Sequence, residues 1–256
     1  MNAFLERLHD GKVTLMLAIR SARTPDVVRI ARATGHHSVL IDLEHSAMSL
    51  DVAASLSAAA ADLGLTPFVR IPEREYGAIG RLLDCGAHGI VAPRVDTAAE
   101  AETISRACRF PPRGQRSQLA MVPMLDLRPT PATELNPWLD AATIVQILVE
   151  TPTGIANSGS IAALDGVDML GIGANDLTAE LGTPGQYERI RSHVATAAEA
   201  CRTHGKLLQL GGIGDLGLMK DLLPLGVCPL FMTGTDTELL HSGASTRAGL
   251  VLKEFA

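Results

Sequence analysis

Residues 143–150 read TIVQILVE, a run whose interior is apolar apart from Gln146 and which ends in Glu150. Residues 39–44, VLIDLE, repeat this design and also end in an acid. Strands that are apolar on both faces are typical of a parallel sheet covered by helices on its two sides. These two segments therefore favour an α/β fold in which polar residues collect where the strands end.

Eight short apolar runs of this kind occur along the chain. They predict strands at residues 13–19, 38–44, 67–71, 89–95, 143–150, 168–173, 206–211 and 229–234. The stretches between them have helical periodicity, at residues 24–34, 51–62, 76–85, 97–108, 153–164, 187–204 and 215–225. Strict alternation predicts parallel βαβ units, and eight of them favour a closed (β/α)8 TIM barrel. No Gly-, Ser- or Pro-rich linker divides the chain, so we expect a single domain over residues 1–256.

One segment breaks the alternation. Residues 109–136 contain five prolines, Pro137 follows directly, and no periodic pattern is evident. We predict a proline-rich loop between the fourth and fifth strands. Such a long loop is often functional, so it either covers the active site or forms a surface excursion that contacts another subunit. The chain after Asp236 is predicted to be helical.

Composition excludes several classes of protein. The formal net charge is −6 and no Lys/Arg run could follow a phosphate backbone, so we expect no nucleic-acid partner. The apolar runs are too short to span a bilayer, and the N-terminus lacks an apolar signal core. Four scattered cysteines without a CxxC pair favour a reducing compartment. The prediction is a soluble cytoplasmic protein with no membrane partner.

Unusual polar residues end several neighbouring strands. The second strand ends in Asp42, Glu44 and His45, and the third ends in Arg70. The fifth strand ends in Glu150, and the sixth is followed by Asn175 and Asp176. Barrel enzymes carry their catalytic residues at the carboxyl ends of the strands. This constellation therefore predicts an active site at that end of the barrel.

Glu150 and Asp176 follow adjacent strands. Two such carboxylates can share a hard dication and leave coordination sites open for water and a bidentate substrate. The alternative is that each carboxylate caps the helix that follows it. We take a metal site as the working hypothesis.

Arg70 and His45 are the other candidates for chemistry. The guanidinium of Arg70 follows an apolar strand, where it suits a carboxylate or an enolate oxygen, unless it forms a structural ion pair with Asp42 or Glu44. His45 is placed to act as a general base near neutral pH, with Asp84 as a candidate for orienting it.

The four lysines are badly placed for a Schiff base. Lys12 and Lys206 begin predicted strands, at the opposite end of the barrel, and Lys220 and Lys253 lie in helices. Chemistry at a carbonyl carbon would then use a metal as the electron sink. Gly211, Gly212 and Gly234 follow the seventh and eighth strands. They allow a rival interpretation, a phosphosugar isomerase or epimerase, although tight turns explain these glycines as well.

Several motifs resemble those of the HpcH/HpaI family of class II pyruvate aldolases, and the likeness spans nearly the whole chain. The matching segments are IDLEHSAMSLD (41–51), PFVRIP (67–72), LLDCGAHGIVAPRVDTAAEA (82–101), FPPRGQR (110–116), ILVETPTGIANSGSIAALDGVDMLGIGANDLTAELGTPG (147–185) and TGTDTELL (233–240).

The resemblance implies roles for individual residues. Glu150 and Asp176 would hold a divalent cation, Mg2+, Mn2+ or Co2+, to which pyruvate binds through its carboxylate and keto oxygens. Arg70 would stabilise the enolate oxygen, and His45 paired with Asp84 would serve as the base.

The resemblance also implies a substrate-binding segment and an assembly. The segment formed by Gly173, Ala174, Asn175 and Asp176 would hold the substrate carboxylate through backbone amides. The barrel would assemble as a hexamer, a trimer of dimers that exchange the last helix.

The chain departs from the family pattern at three places. Leu148 stands where the family has a glutamine two residues before the metal glutamate. Residues 173–177 read GANDL instead of GPADL, and Ser117 replaces a glycine after Arg116. These changes keep the metal ligands and put the substrate in question.

The function predicted on this basis is a divalent-metal-dependent aldolase, a carbon–carbon lyase. It would cleave a 4-hydroxy-2-oxo acid into pyruvate and an aldehyde through a metal-bound enolate. The alternatives are a related metal–enolate lyase or decarboxylase acting on oxaloacetate or a citramalyl-type substrate, and a weakly active barrel that binds 2-oxo acids.

Overall fold

The computed structural model describes residues 2–255 and shows eight parallel strands in one sheet. Each strand from β1 to β6 pairs with the next one along the chain, and β8 pairs with β1. This order is that of a (β/α)8 barrel, as predicted. The strands are β1 Thr14–Ile19, β2 Ser38–Asp42, β3 Thr66–Arg70, β4 Gly89–Ala92, β5 Ile144–Leu148, β6 Met169–Gly173, β7 Leu207–Gly211 and β8 Leu230–Thr235.

Helices lie between the strands and at both ends of the chain. They are α1 Ala3–His9, α2 Asp26–Ala33, α3 Leu50–Asp62, α4 Ile79–Asp84, α5 Ala98–Cys108, α6 Ala132–Ala142, α7 Pro152–Ala156, α8 Ser158–Ala162, α9 Ala174–Glu180, α10 Arg191–Thr203, α11 Leu216–Leu222 and α12 Asp236–Phe255. The helix predicted over residues 153–164 is divided in two at Asn157, and the one predicted over 187–204 begins with a 3-10 turn at Tyr187–Ile190.

The prediction that residues 109–136 form a loop is wrong at its end. Residues 132–136 belong to α6, which continues through Pro137. Leu135 and Leu139, four residues apart and hence on one helix face, are buried against Phe110 and Val122. Burial of this apolar face stabilises the helix in spite of its proline, so tertiary packing overrides the local signal.

The interior of the barrel is filled from its amino-terminal end. Met16, Leu40 and Phe68 point into an apolar cluster, and α1 lies across the base of that cluster with Phe4 and Leu8 buried. The rings of Phe4 and Phe68 have their centroids 5.1 Å apart. α1 therefore closes the floor of the barrel, and the opposite end stays open.

The barrel has a seam between β7 and β8. In the described part of the chain these strands share no ladder, and a single parallel bridge joins Leu208 to Val227. The N–H of Cys228 donates to the carbonyl of Leu208 at 2.7 Å next to this bridge. The seam is thus fastened at the floor and unpaired toward the carboxyl ends of the strands.

The last helix, α12, has no buried residue along its 20 residues. Leu240 is 73% exposed, Leu252 65% and Phe255 84%, so these apolar side chains are not covered by any of residues 2–255. Over residues 2–255, no helix has both the length and the apolar character needed to cross a membrane.

Candidate active site

A cavity of about 1030 Å³ opens at the carboxyl ends of the strands. Its polar lining includes Arg20, His45, Arg70, Glu150 and Asp176. The floor formed by α1 lies at the other end, so these side chains surround the mouth of a well. The site predicted from the strand ends therefore corresponds to a real depression in the fold.

Glu150 follows β5 and is buried, with 3% of its surface exposed. Its Oε2 accepts a hydrogen bond of 3.0 Å from the backbone N–H of Arg94. Burial, together with the nearby carboxylates of Asp176 and Glu44, raises the pKa of Glu150 to about 7. A carboxylate in this setting is poorly compensated, and a bound cation would stabilise its charged form.

Asp176 lies in the first turn of α9, and its side chain is partly exposed. Neither acid acts as a helix cap. The hydroxyl of Thr151 caps α7 by accepting from Gly154 N at 3.0 Å, and Gly173 at the start of α9 has no side chain to do so. The capping alternative is therefore not what the structure shows for either residue.

Gly173 makes room for the Glu150 carboxylate. A Cβ placed on Gly173 would overlap Oε1 of Glu150 and lie 2.9 Å from its Cδ. The backbone of Gly173 is extended, with φ −82°, so the glycine is needed for space and not for its conformation. The carboxylate thus rests against the bare backbone of β6.

These two acids fit a hard divalent cation. Among residues 2–255, no group of three or more His, Cys, Asp or Glu side chains could hold a metal, and the candidate ligands here are the carboxylates of Glu150 and Asp176. Both ligands are carboxylates, the donors that Mg2+ and Mn2+ prefer, and the ions would keep open positions for water and substrate oxygens. No ion pair of the described residues compensates Glu150, because Arg70 and Arg94 direct their guanidinium groups to other acids.

Arg70 forms a bidentate pair with Asp42. Its Nε and Nη2 donate to Asp42 Oδ1 and Oδ2 at 3.0 and 2.6 Å, and Nη1 lies 3.1 Å from Glu44 Oε2. The predicted alternative of a structural ion pair is therefore real. Arg70 nevertheless lines the cavity, and each Nη nitrogen keeps one N–H for a ligand.

Asp42 organises this side of the mouth. It ends β2 with no exposed surface, and its Oδ1 also accepts from the backbone N–H groups of Glu44 and His45 at 3.1 and 3.2 Å. Although burial disfavours the charge, Arg70 and Arg20 hold the pKa of Asp42 at about 2. Burial acts on Glu44 as well and raises its pKa, against the opposing effect of Arg70.

His45 and Asp84 are not brought together within one chain. His45 follows β2 at the mouth, is half exposed, and has Nε2 3.7 Å from Glu44 Oε2. Asp84 ends α4, before β4 begins, and so lies toward the floor of the barrel. Its Oδ1 accepts from Arg116 Nη2 at 2.7 Å. In this chain the acid beside His45 is Glu44.

The segment of Gly173, Ala174, Asn175 and Asp176 lines the cavity as the turn from β6 into α9. The first N–H groups of a helix lack partners within the helix, so this turn presents donors to the mouth. Asn175 is held from the side, because Tyr187 donates its hydroxyl to Asn175 Oδ1 at 2.6 Å.

Leu148, the departure from the family pattern, points into the cavity at 8% exposure. Deeper in the barrel, Gln146 donates to Gln209 across the interior. The side-chain amide of Gln146, two residues before Leu148, is therefore hydrogen-bonded to Gln209. The part of the cavity wall next to Glu150 is the apolar side chain of Leu148.

Two arginines at the mouth received no role from the sequence. Arg20 follows β1 at the mouth and donates from Nε to Asp42 Oδ2 at 2.7 Å. A cation directly after a strand was a visible signal for it. Arg94 has φ 51°, a left-handed conformation rare for a residue with a side chain, and this gives its N–H to Glu150. No feature of the sequence announces that backbone angle.

Comparison with known proteins finds a family and relatives that are named as aldolases. Residues 15–216 match the family described as HpcH/HpaI aldolase/citrate lyase. A 4-hydroxy-4-methyl-2-oxoglutarate aldolase, tasA, of Hapsidospora irregularis is 36% identical over 255 residues, 98% of this chain and 94% of its own. A hydroxypyruvate/pyruvate aldolase of Pseudomonas aeruginosa is 32% identical, covering 97% and 92%. The crystal structure of an HpcH/HpaI aldolase from Desulfitobacterium hafniense DCB-2 superposes with a TM-score of 0.89 at 25% identity, covering 98% and 96%.

Proposed function

Because this chain belongs to the HpcH/HpaI aldolase/citrate lyase family, we propose that it is a divalent-metal-dependent carbon–carbon lyase. It cleaves a 4-hydroxy-2-oxo acid into pyruvate and an aldehyde. The observation that carries the proposal is the buried Glu150, which faces the cavity next to Asp176 and forms no ion pair with a cationic side chain of residues 2–255. None of the four lysines lines the cavity, which argues against a Schiff base.

Glu150 and Asp176 would hold the cation, Mg2+, Mn2+ or Co2+. When bound, it supplies a Lewis acid that polarises the 2-keto group. The remaining N–H groups of Arg70 donate to the C2 oxygen as negative charge develops there. The backbone N–H groups of the turn at residues 173–176 bind the carboxylate of the pyruvate half.

His45 is assigned as the base, acting through a water molecule. It accepts the proton of the C4 hydroxyl while the C3–C4 bond breaks, and the electron pair of that bond passes to C3 and onto the C2 oxygen. The C4 half leaves as an aldehyde, and protonation at C3 completes pyruvate. Glu44 Oε2 lies 3.7 Å from His45 Nε2 and is the acid next to the proposed base.

The proposal includes an assembly in which α12 packs on a neighbouring subunit, as a hexamer built from three dimers. Support comes from the leucines and Phe255 of α12, which are exposed in the described part of the chain. It also places the enzyme in the cytoplasm, which the four free cysteines support.

The test is pyruvate release from 4-hydroxy-2-oxovalerate, measured with Mn2+, Co2+ or Mg2+ and again after chelation with EDTA. We expect activity to vanish on chelation and to return when the metal is restored. Undiminished turnover after thorough chelation contradicts the proposal. Release of carbon dioxide from oxaloacetate, or of acetate from citramalate, without cleavage of 4-hydroxy-2-oxovalerate would assign the chain to a related decarboxylase or citramalyl-type lyase.

A matched pair of variants tests the ligand assignment. Glu150→Gln removes the buried charge with little change in shape, and we expect activity to fall at least about 100-fold along with Mn2+ binding. Glu134→Gln makes the same change at an exposed position of α6 and should have no effect. Equal activity of the two variants would remove Glu150 from the metal site.

A further inference from the structure

Arg20 is a second arginine at the mouth of the cavity, and the proposed mechanism assigns it no role. It follows β1, lines the cavity, and has 36% of its side-chain surface exposed. Its Nε donates to Asp42 Oδ2, the carboxylate that Arg70 already holds by both oxygens. Asp42 thus contacts two arginines, and Arg70 also pairs with Glu44.

The other side of the Arg20 guanidinium is free. Within residues 2–255, Nη1 and Nη2 of Arg20 take part in no hydrogen bond or ion pair. These two nitrogens present parallel N–H groups, and that fork matches the two oxygens of a carboxylate. The guanidinium of Arg20 is thus partly exposed, lines the cavity and has unused N–H donors. These are the properties of a group that binds an anion.

The backbone of Arg20 is fixed in place. Its N–H donates to Asp236 Oδ1 at 3.0 Å, and the N–H groups of Ser21 and Ala22 donate to Asp236 Oδ2 at 2.9 and 2.7 Å. Asp42 fixes the side chain from the opposite direction. Arg20 thus loses little further freedom when a ligand arrives, which favours affinity.

Position in the barrel indicates which part of a substrate Arg20 meets. The metal-binding acids follow β5 and β6, and β1 lies four strands away from β5 in the ring. Arg20 Nε and Arg70 Nη2 donate to the same oxygen, Asp42 Oδ2, so Arg20 lies beside the arginine that we assign to the C2 oxygen. A substrate that extends from its 2-oxo acid end toward β1 would then have the group on C4 next to Arg20.

We propose that Arg20 is a specificity residue that binds a carboxylate carried on C4 of the substrate. This inference rests on the proposed function and narrows it. The substrate is then a 4-hydroxy-2-oxo dicarboxylic acid, and the product released with pyruvate is itself a 2-oxo acid. The reaction stays balanced without a co-reactant, since 4-hydroxy-2-oxoglutarate divides into pyruvate and glyoxylate.

A purely structural role for Arg20 predicts a different result. If Arg20 only neutralised Asp42, its loss would disturb all substrates alike through Asp42 and Arg70. If it binds the C4 carboxylate, its loss affects charged substrates selectively. The ratio between a charged and an uncharged substrate therefore separates the two roles.

Equilibrium binding gives a test that does not depend on turnover. The pair 2-oxoglutarate and 2-oxopentanoate has the same carbon chain, with a carboxylate or a methyl group on C4. With saturating Mn2+, we expect the wild-type protein to bind 2-oxoglutarate roughly 10- to 100-fold more tightly, the range of a charge-assisted pair. Arg20→Met should reduce the difference to about threefold or less, and Arg20→Lys should restore part of it.

Catalysis supplies the second test. The values of kcat/KM for 4-hydroxy-2-oxoglutarate and 4-hydroxy-2-oxovalerate are compared through pyruvate release. The ratio should favour the dicarboxylate and fall by roughly 10- to 100-fold in Arg20→Met. Arg29→Met, at an exposed arginine of α2 paired with Asp26, is the control and should keep the wild-type ratio.

The outcomes are distinguishable. Equal binding of the two oxo acids by the wild-type protein, or an equal loss on both substrates in Arg20→Met, overturns the assignment of Arg20. Cleavage of neither substrate with any metal overturns the proposed function. In that case the binding ratio still decides whether Arg20 recognises a carboxylate.

Discussion

The backbone N–H of Arg94 donates to Glu150 Oε2 at 3.0 Å while Arg94 holds a left-handed conformation, φ 51°. The conformation costs about 1–2 kcal/mol for a residue with a side chain. This conformation positions the N–H of Arg94, which is the only hydrogen-bond donor to Glu150 among the described residues. The backbone strain is therefore located next to the proposed metal ligand.

Two substitutions at position 94 separate the backbone from the side chain. Arg94→Gly keeps the N–H and removes the strain, so we expect the free energy of unfolding to stay within about 1 kcal/mol of wild type, because the partly exposed pair with Glu180 contributes little. Arg94→Val adds a β-branched residue at positive φ and should cost about 2 kcal/mol more than glycine. Urea unfolding measures both. Equal destabilisation would mean that the ion pairs of Arg94, and not its backbone, matter.

Gly173→Ala should inactivate the enzyme without unfolding it. The new Cβ overlaps Oε1 of Glu150, and the carboxylate has to rotate away from Asp176. We expect Mn2+ affinity, measured by calorimetry, to fall by about 100-fold. Gly159→Ala in α8 is the control, since no atom lies within 4 Å of its added Cβ. If Gly173→Ala binds Mn2+ like the control, Glu150 is not a ligand in this position.

Asp42 predicts a pH dependence of stability. Its folded pKa, about 2, lies below the unfolded value of 3.8, so the ionised form is the one that stabilises the fold. This contribution, on the order of 2 kcal/mol, is fully present above about pH 4 and is lost as the pH falls toward 2. Asp42→Asn should therefore be less stable than wild type at pH 6, with the difference narrowing below pH 4.

Thermal or urea unfolding over pH 2.5–6 measures this difference. Asp26→Asn, which removes an exposed acid paired with Arg29, provides the comparison and should show little change. A constant difference between Asp42→Asn and wild type down to the lowest pH would argue that the ion pairs of Asp42 contribute nothing to stability.

The exposed apolar side of α12 predicts assembly. Replacement of Leu240 and Leu252 together by glutamate puts two charges on that side, and we expect the assembly to dissociate into smaller species in light scattering. Thr196→Glu adds a charge to the exposed face of α10 and should leave the molar mass unchanged. A wild-type protein that is monomeric at micromolar concentration would contradict the assembly itself.

The fold was largely readable from the sequence because buried parallel strands leave a strong signal. Runs such as residues 144–148, which are apolar except for Gln146 and lie between helical patterns, are typical of strands that are buried on both faces. The failures were places where distant contacts decide. Helix α6 forms because Leu135 and Leu139 are buried against Phe110, and no local pattern shows that contact.

The acidic residues of the candidate site were predictable from the sequence. The hydrogen-bond and ion-pair partners of the site residues were less predictable. Glu150, Asp176, Arg70 and His45 all line the cavity, since residues at strand ends converge in a barrel. The partners of these groups depend on three-dimensional detail. Asp84 contacts Arg116 instead of His45, and a left-handed backbone at Arg94 has no signature in the residues around it.

Asp236 connects the last helix to the cavity. Its carboxylate starts α12 and at the same time receives three N–H groups from residues 20–22. A displacement of α12 would move the anchor of the Arg20 backbone and, through Asp42, act on Arg70. If the proposed assembly and the proposed role of Arg20 both hold, dilution that separates the subunits should also lower the preference for a charged over an uncharged substrate.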